Sequence, residues 1–112
     1  MTTTLLHVGK AITSKGEISD AGILIRDGEI EAIGSRADLT VPGGALEVRA
    51  VDSMAIPGFI DVHIHGAGGR DVMEGNTEAL GIVTGKLAQF GTTSLLATTV
   101  TADADDTIRA VE

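Results

Sequence analysis

The sequence predicts an α/β protein in which an amino-terminal antiparallel β unit precedes alternating strands and helices. Residues 1–56 contain short runs of alternating apolar and polar residues separated by turns, a pattern typical of antiparallel strands. Residues 57–112 instead combine apolar strand-like runs with segments of helical period, which is the pattern of a parallel sheet or barrel. Because the pattern changes at Pro57, we expect two domains, residues 1–56 and residues 57–112.

In the first domain the alternation predicts four strands. They are Leu5–Thr13, Gly22–Arg26, Glu29–Ile33 and Leu46–Val51. Asp27-Gly28 separates the second strand from the third and predicts a hairpin with a type I′ turn, which needs positive φ at both central residues. We expect His7 to be solvated or at a sheet edge, because no neighbouring residue offers a second metal ligand.

The second domain reads as strand, helix, strand, helix. We expect a strand over Pro57–Gly66, a helix within Thr77–Phe90, a strand over Thr92–Val100 and a helix beginning near Asp103. Leu80, Val83, Leu87 and Phe90 form the apolar stripe of the first helix. Asn76 or Thr77 can cap its amino end, and Gly91 can end it in the left-handed conformation. Gly81 and Gly85 are expected to permit close helix-to-strand approach.

Two histidines stand at the carboxyl end of the first of these strands. Alternation puts Ile60, Val62 and Ile64 on one face, and Phe59, Asp61, His63 and His65 on the other. The aliphatic face predicts a buried strand covered by a helix. The Cα atoms of His63 and His65 lie roughly 6.6 Å apart in such a strand. Both imidazoles can therefore bind one metal ion at about 2.0–2.1 Å.

Less specific interpretations remain for these polar residues. A His-x-His pair can be two hydrogen-bonded surface histidines, but imidazoles on an inner face are costly to bury without partners, which favours metal binding. Asp61 shares their face and can orient an imidazole or a water molecule. Alternatively, it is a strand-end carboxylate bonded to backbone.

The glycine-rich stretch Gly66–Asp71 follows the second histidine. It lacks both the Gly-x-x-x-x-Gly-Lys-Ser/Thr and the Gly-x-Gly-x-x-Gly patterns, which argues against nucleotide binding. We expect these glycines to let backbone pass beside the metal and to present N–H groups to a ligand. Gly66 is the candidate substrate-binding residue.

Composition excludes several classes of function. Sixteen acidic and eight scattered basic residues give a net charge of -8, so no basic stripe is available for nucleic acid. There is no signal-peptide pattern and no apolar run of the roughly 20 residues that span a bilayer, so we expect no membrane partner. The absence of cysteine suits a reducing compartment, and we expect a cytoplasmic protein.

The stretch PGFIDVHIHG, Pro57–Gly66, resembles the metal-binding first barrel strand of the amidohydrolase superfamily. The longer strings PGFIDVHIHGAGGRDVME and GTTSLLATTVT are similar to those of its N-acetylglucosamine-6-phosphate deacetylase family. ILIRDGEIEAIG resembles a hairpin of that family's amino-terminal half-sandwich. The resemblance thus covers essentially the whole chain.

This resemblance implies part of a β-sandwich followed by the first βαβα of a metal-dependent (β/α)8 barrel. His63 and His65 would hold a divalent metal, zinc or iron, as one or two ions. The substrate would be a small amino-sugar phosphate, and the full-length enzyme would be a homodimer. A closed barrel takes about 250 residues, so we expect an amino-terminal fragment that contains no catalytic residue and is inactive and marginally stable alone.

Two other functions remain open at this point. One is a cyclic amidohydrolase or aminohydrolase, which shares the His-x-His motif and would lack a phosphate-binding site. The other is a non-catalytic β binding module with an incidental metal site. Further βα units and further ligands beyond Glu112 would exclude the binding module.

Overall fold

A computed structural model describes residues 2–112 of the chain. Two compact units are present, one ending at Pro57 and the other running from Gly58 to Glu112. The sequence placed the boundary between residues 56 and 57.

The first unit is a four-stranded sheet. Its strands are β1 (Thr3–Thr13), β2 (Gly16–Arg26), β3 (Glu29–Ser35) and β4 (Leu46–Ala55), in the order β3-β2-β1-β4. β1 pairs antiparallel with β2, and β2 pairs antiparallel with β3. β4 runs parallel to β1, so the prediction of an antiparallel unit is wrong for this strand. Alternation shows which face of a strand is buried but carries no information about its direction.

The turn between β2 and β3 confirms the predicted hairpin. Asp27 and Gly28 have φ values of 49° and 89°, as a type I′ turn requires. Arg26 and Glu29 form the adjacent pair, and the register shifts by one residue between Leu24 and Ile25.

His7 is buried, contrary to the expectation of a solvated or edge residue. It is 7% exposed and lies in β1, which has a neighbouring strand on each side. Its Nε2 atom is 2.6 Å from a carboxylate oxygen of Asp20. The sequence did not reveal this partner, because Asp20 is 13 residues away along the chain and becomes adjacent only through strand pairing.

Gly9 marks an irregularity where β1 meets β4. The register between these strands shifts after Val8, and pairing resumes at Lys10 with Met54. A Cβ atom at Gly9 would lie 2.2 Å from the carbonyl oxygen of Val51. Glycine therefore allows the two backbones to approach at this bulge.

The second unit contains the predicted succession of strands and helices. Its elements are β5 (Phe59–Ile64), β6 (Gly66–Ala67), β7 (Arg70–Asp71), a 3-10 helix (Val72–Glu74), α1 (Thr77–Ala88), β8 (Thr92–Ala97) and α2 (Ala104–Val111). β5 and β8 pair in parallel, as expected of a β-α-β unit. Among residues 2–112, neither helix is sufficiently long and apolar to cross a membrane.

The ends of α1 follow the predicted signals, whereas its surface differs from the prediction in two respects. Asn76 accepts a hydrogen bond from the Ala79 N–H, and Gly91 has a φ of 86°. Phe90 lies beyond the helix and is 70% exposed, so the buried stripe is shorter than predicted. A Cβ atom at Gly81 or Gly85 would meet no described atom within 4 Å, so the expected close helix-to-strand contact is absent there.

The prediction that β5 is a buried strand is also wrong for this chain. Ile60 and Val62 are 69% and 67% exposed. Within residues 2–112, β5 is hydrogen-bonded to β8 alone, and the closest packing of α1 is against β6, β7 and β8. The aliphatic face of β5 is consequently open.

Candidate metal centre

The end of β5 brings the two predicted histidines together. The His63 and His65 ring centroids are 4.8 Å apart, with an interplanar angle of 89°. Their Nε2 atoms are 3.2 Å apart. The strand alternation that placed both imidazoles on one face therefore gives two nitrogens that converge on a common point.

The other nitrogen of His65 is hydrogen-bonded to backbone. Nδ1 lies 2.9 Å from the carbonyl oxygen of Thr98, directly after β8. Because a carbonyl only accepts, this contact assigns the proton to Nδ1 and leaves a lone pair on Nε2. In this tautomer of the neutral imidazole, the His65 Nε2 atom can bind a metal ion.

The spacing of the two Nε2 atoms also fits a shared metal ion. Two nitrogens that are 3.2 Å apart, each about 2.0–2.1 Å from an ion, subtend about 100–106° at that ion. This angle is close to that of tetrahedral coordination. The pair can therefore supply two ligands to a zinc-like ion without rearrangement of the strand.

Asp61 bonds to the backbone. Its carboxylate accepts a hydrogen bond from the His63 N–H at 3.1 Å, in agreement with the alternative interpretation of this residue. Its orientation of an imidazole or a water stays a prediction. Among residues 2–112, no three His, Cys, Asp or Glu side chains are arranged to hold a metal, so further ligands would have to come from elsewhere.

The glycine-rich stretch Gly66–Asp71 forms a small hairpin. Gly66 pairs with Asp71 and Ala67 with Arg70, across a two-residue turn in which Gly68 and Gly69 have φ values of 63° and 80°. A Cβ atom at Gly66 would lie 2.2 Å from the Arg70 carbonyl oxygen. Close strand pairing therefore explains Gly66, and its contact with substrate stays a prediction. Two glycines between short strands were the signal for this turn.

Charged residues at the end of the hairpin fix the start of the 3-10 helix that follows. Arg70 Nε donates to both carboxylate oxygens of Glu74 at 3.1 and 2.9 Å, and Glu74 also accepts from the Asp71 N–H. Together these hydrogen bonds hold the pKa of Glu74 below its ordinary value, and the bond from Arg70 makes the largest contribution. The same pairing raises the pKa of Arg70. The sequence analysis missed this network, although the Asp71-x-x-Glu74 spacing is that of a capping box.

Thr98 is the other residue that the sequence analysis missed. Besides accepting from His65, it donates its backbone N–H to the Ile64 carbonyl at 2.8 Å. Its hydroxyl accepts from the Ile64 N–H at 3.2 Å and donates to the Leu96 carbonyl at 3.0 Å. The sequence offered only a threonine near the end of the strand predicted over Thr92–Val100.

No protein-family model matches the chain, but curated proteins do. It is 36% identical over 102 residues to the N-acetylglucosamine-6-phosphate deacetylase of Bacillus subtilis (strain 168), covering 90% of this chain. It is 34% identical over 100 residues to the N-acetylgalactosamine-6-phosphate deacetylase of Escherichia coli O157:H7, covering 89% of this chain. A dihydroorotase of Ligilactobacillus salivarius is 37% identical over 62 residues, 55% of this chain and 14% of that protein.

The chain spans about a quarter of the length of the deacetylases that it matches, 26% and 25%. Solved structures are likewise matched over less than a third of their length. The N-acetyl-D-glucosamine-6-phosphate deacetylase of Mycobacterium smegmatis matches 96% of this chain and 30% of its own, with a TM-score of 0.81 and 26% identity. That of Pasteurella multocida matches 97% of this chain and 28% of its own, with a TM-score of 0.87 and 24% identity. The resemblance inferred from the sequence motifs is confirmed.

Proposed function

We propose that this chain is the histidine-bearing part of a metal-dependent hydrolase that removes the acetyl group from N-acetylglucosamine 6-phosphate. The observation that carries the proposal is the pair of Nε2 atoms 3.2 Å apart at the end of β5. It is supported by similarity to deacetylases along 90% of the chain. The β-α-β-α order of the second unit further fits the opening of a (β/α)8 barrel.

In this proposal His63 and His65 are neutral metal ligands. The His65 Nδ1–H bond to Thr98 keeps one imidazole in the required tautomer, and the strand geometry brings the other to the same point. A divalent metal, zinc or iron, would polarise the acetamide carbonyl and make water acidic enough to supply hydroxide near neutral pH. Neutral ligands leave the positive charge of such an ion undiminished.

The remaining groups of such a site would lie outside this chain. The departing amine needs a proton, and we assign no residue of the chain to that step. Recognition of the sugar phosphate needs a positively charged group, and we assign none of these either. The chain by itself is therefore expected to be inactive, and the pairing of full-length subunits stays a prediction.

Metal content and hydrolysis together test the proposal in the full-length protein. We expect bound zinc or iron, and release of acetate from N-acetylglucosamine 6-phosphate. A His63→Ala, His65→Ala double variant should lose metal and activity, whereas Arg109→Ala, a 61% exposed side chain on α2, should keep both. Unchanged metal content in the double variant would remove these histidines from the site.

A cyclic amidohydrolase is the second candidate. The match to a dihydroorotase over 55% of the chain favours it, although the deacetylase match is considerably longer. The same protein should then be assayed for opening of dihydroorotate. Metal-dependent ring opening without acetate release would select this alternative and leave the histidine assignment intact.

A further inference from the structure

We propose that Thr98 is a positioning residue whose hydroxyl holds His65 in its metal-binding tautomer and orientation. The inference rests on the proposed function, since it gives His65 a metal to bind. No role was assigned to Thr98 from the sequence. Its evidence is a set of contacts that join the ends of β5 and β8.

Thr98 is held at four points. Its N–H donates to the Ile64 carbonyl at 2.8 Å, and its hydroxyl bridges the Ile64 N–H and the Leu96 carbonyl at 3.2 and 3.0 Å. Its own carbonyl then accepts from His65 Nδ1 at 2.9 Å. The hydroxyl thus fixes the peptide unit that orients the imidazole.

Such fixation matters because the two imidazoles are also within hydrogen-bonding reach of each other. With 3.2 Å between their Nε2 atoms, one of these nitrogens carries a proton and the other a lone pair. A proton held on His65 Nδ1 gives its Nε2 the lone pair, so His63 alone has to change tautomer when both nitrogens bind a metal. Groups that orient a metal-binding histidine in this way typically contribute 10–100-fold in affinity.

The hydroxyl can be removed with little change in shape. Thr98→Val deletes it and leaves the Ile64 N–H and the Leu96 carbonyl without that partner, whereas Thr98→Ser retains it. Thr93→Val is the matched control, because the Thr93 hydroxyl donates to the Phe59 carbonyl at 3.4 Å. That contact joins the same two strands at the end remote from His65.

The first measurement is the dissociation constant for Zn²⁺ of the full-length protein, determined by competition with a chelator. Thr98→Val should weaken binding by about 10–100-fold. Thr98→Ser and Thr93→Val should stay near the wild-type value. Wild-type affinity in a folded Thr98→Val variant would overturn the inference.

The second measurement is the tautomer of His65 in the metal-free protein, from long-range ¹H–¹⁵N NMR correlations. We expect the Nδ1–H form in the wild type, Thr98→Ser and Thr93→Val, and a mixture of tautomers in Thr98→Val. An unchanged tautomer in Thr98→Val would refute the positioning role. If the wild type bound no Zn²⁺, the proposed function would fail, and this measurement would still decide the role of Thr98.

Discussion

At the scale of single residues, Arg70 and Glu74 show how local charge supports the candidate site. The guanidinium of Arg70 contacts both oxygens of Glu74, and a more distant contact reaches Glu78 at 3.4 Å. Glu74 is also the acceptor of the capping box with Asp71. This pairing ties the β6–β7 hairpin to the segment that leads into α1.

The lowered pKa of Glu74 predicts a pH dependence of stability. A carboxyl whose pKa is depressed on folding stabilises the protein above its unfolded-state pKa, and this contribution is lost as the pH falls through the lower folded-state value. Glu74→Gln should therefore reduce the free energy of unfolding at neutral pH. The difference from wild type should shrink as the pH drops below about 4, near the ordinary glutamate pKa.

Urea unfolding at several pH values, followed by circular dichroism because the chain has no tryptophan, measures that difference. Glu29→Gln, in the exposed hairpin of the first unit, is the control and should show a smaller effect. A Glu74→Gln deficit that stays constant between neutral and acid pH would show that the ion pair is not its source.

Residue spacing predicted that two histidines lie together and failed to predict the surroundings of the third. His63 and His65 are two residues apart, so strand period alone places their rings together. The side chain of His7 is buried against Asp20, a residue of β2 with a positive φ of 47°. That contact requires the register of the sheet, which no local pattern specifies. Thr98 was missed for the same reason, because its partners Ile64 and His65 lie at the end of another strand, β5.

At the scale of elements, turn chemistry was the most informative part of the sequence. Asp27-Gly28 predicted its hairpin because few sequences tolerate two successive positive φ values. The direction of β4 and the exposure of β5 could not be predicted, because both depend on which strands lie alongside. Gly68-Gly69 carried a comparable turn signal, but its flanking strands have only two residues each and show no alternation.

The open face of α1 gives a prediction at this scale. Since a Cβ atom at Gly81 or Gly85 would meet no described atom within 4 Å, alanine there should add helix propensity without a clash. Gly81→Ala and Gly85→Ala should each stabilise the isolated 112-residue chain by about 0.5–1 kcal/mol. Urea unfolding followed by circular dichroism at 222 nm, the usual helix signal, measures the change.

Gly91→Ala is the contrasting variant. Gly91 ends the helix region with a φ of 86°, where a Cβ atom is strained whatever the surrounding space, so alanine should destabilise by about 1–2 kcal/mol. Destabilisation by Gly81→Ala or Gly85→Ala would instead show that this helix face is packed in solution.

At the scale of the whole molecule, apolar surface remains open on the second unit. Phe59, Ile60, Val62 and Leu96 are each more than half exposed. Within residues 2–112, β5 pairs with β8 alone, so one edge of β5 also keeps free backbone hydrogen-bonding groups. Open edges next to apolar faces favour pairing between chains.

We therefore expect the isolated chain to self-associate through β5, even though its net charge of -8 opposes association. Light scattering coupled to size exclusion should show a mass that rises with concentration. Since burying a valine contributes about 1.5–3 kcal/mol, Val62→Lys should weaken association by about tenfold or more. Val111→Lys alters a similarly exposed valine on α2 and should leave the strength of self-association unchanged. A monodisperse wild-type monomer with a sharp two-state melt would contradict this, since it would mean that the open face of β5 needs no further cover.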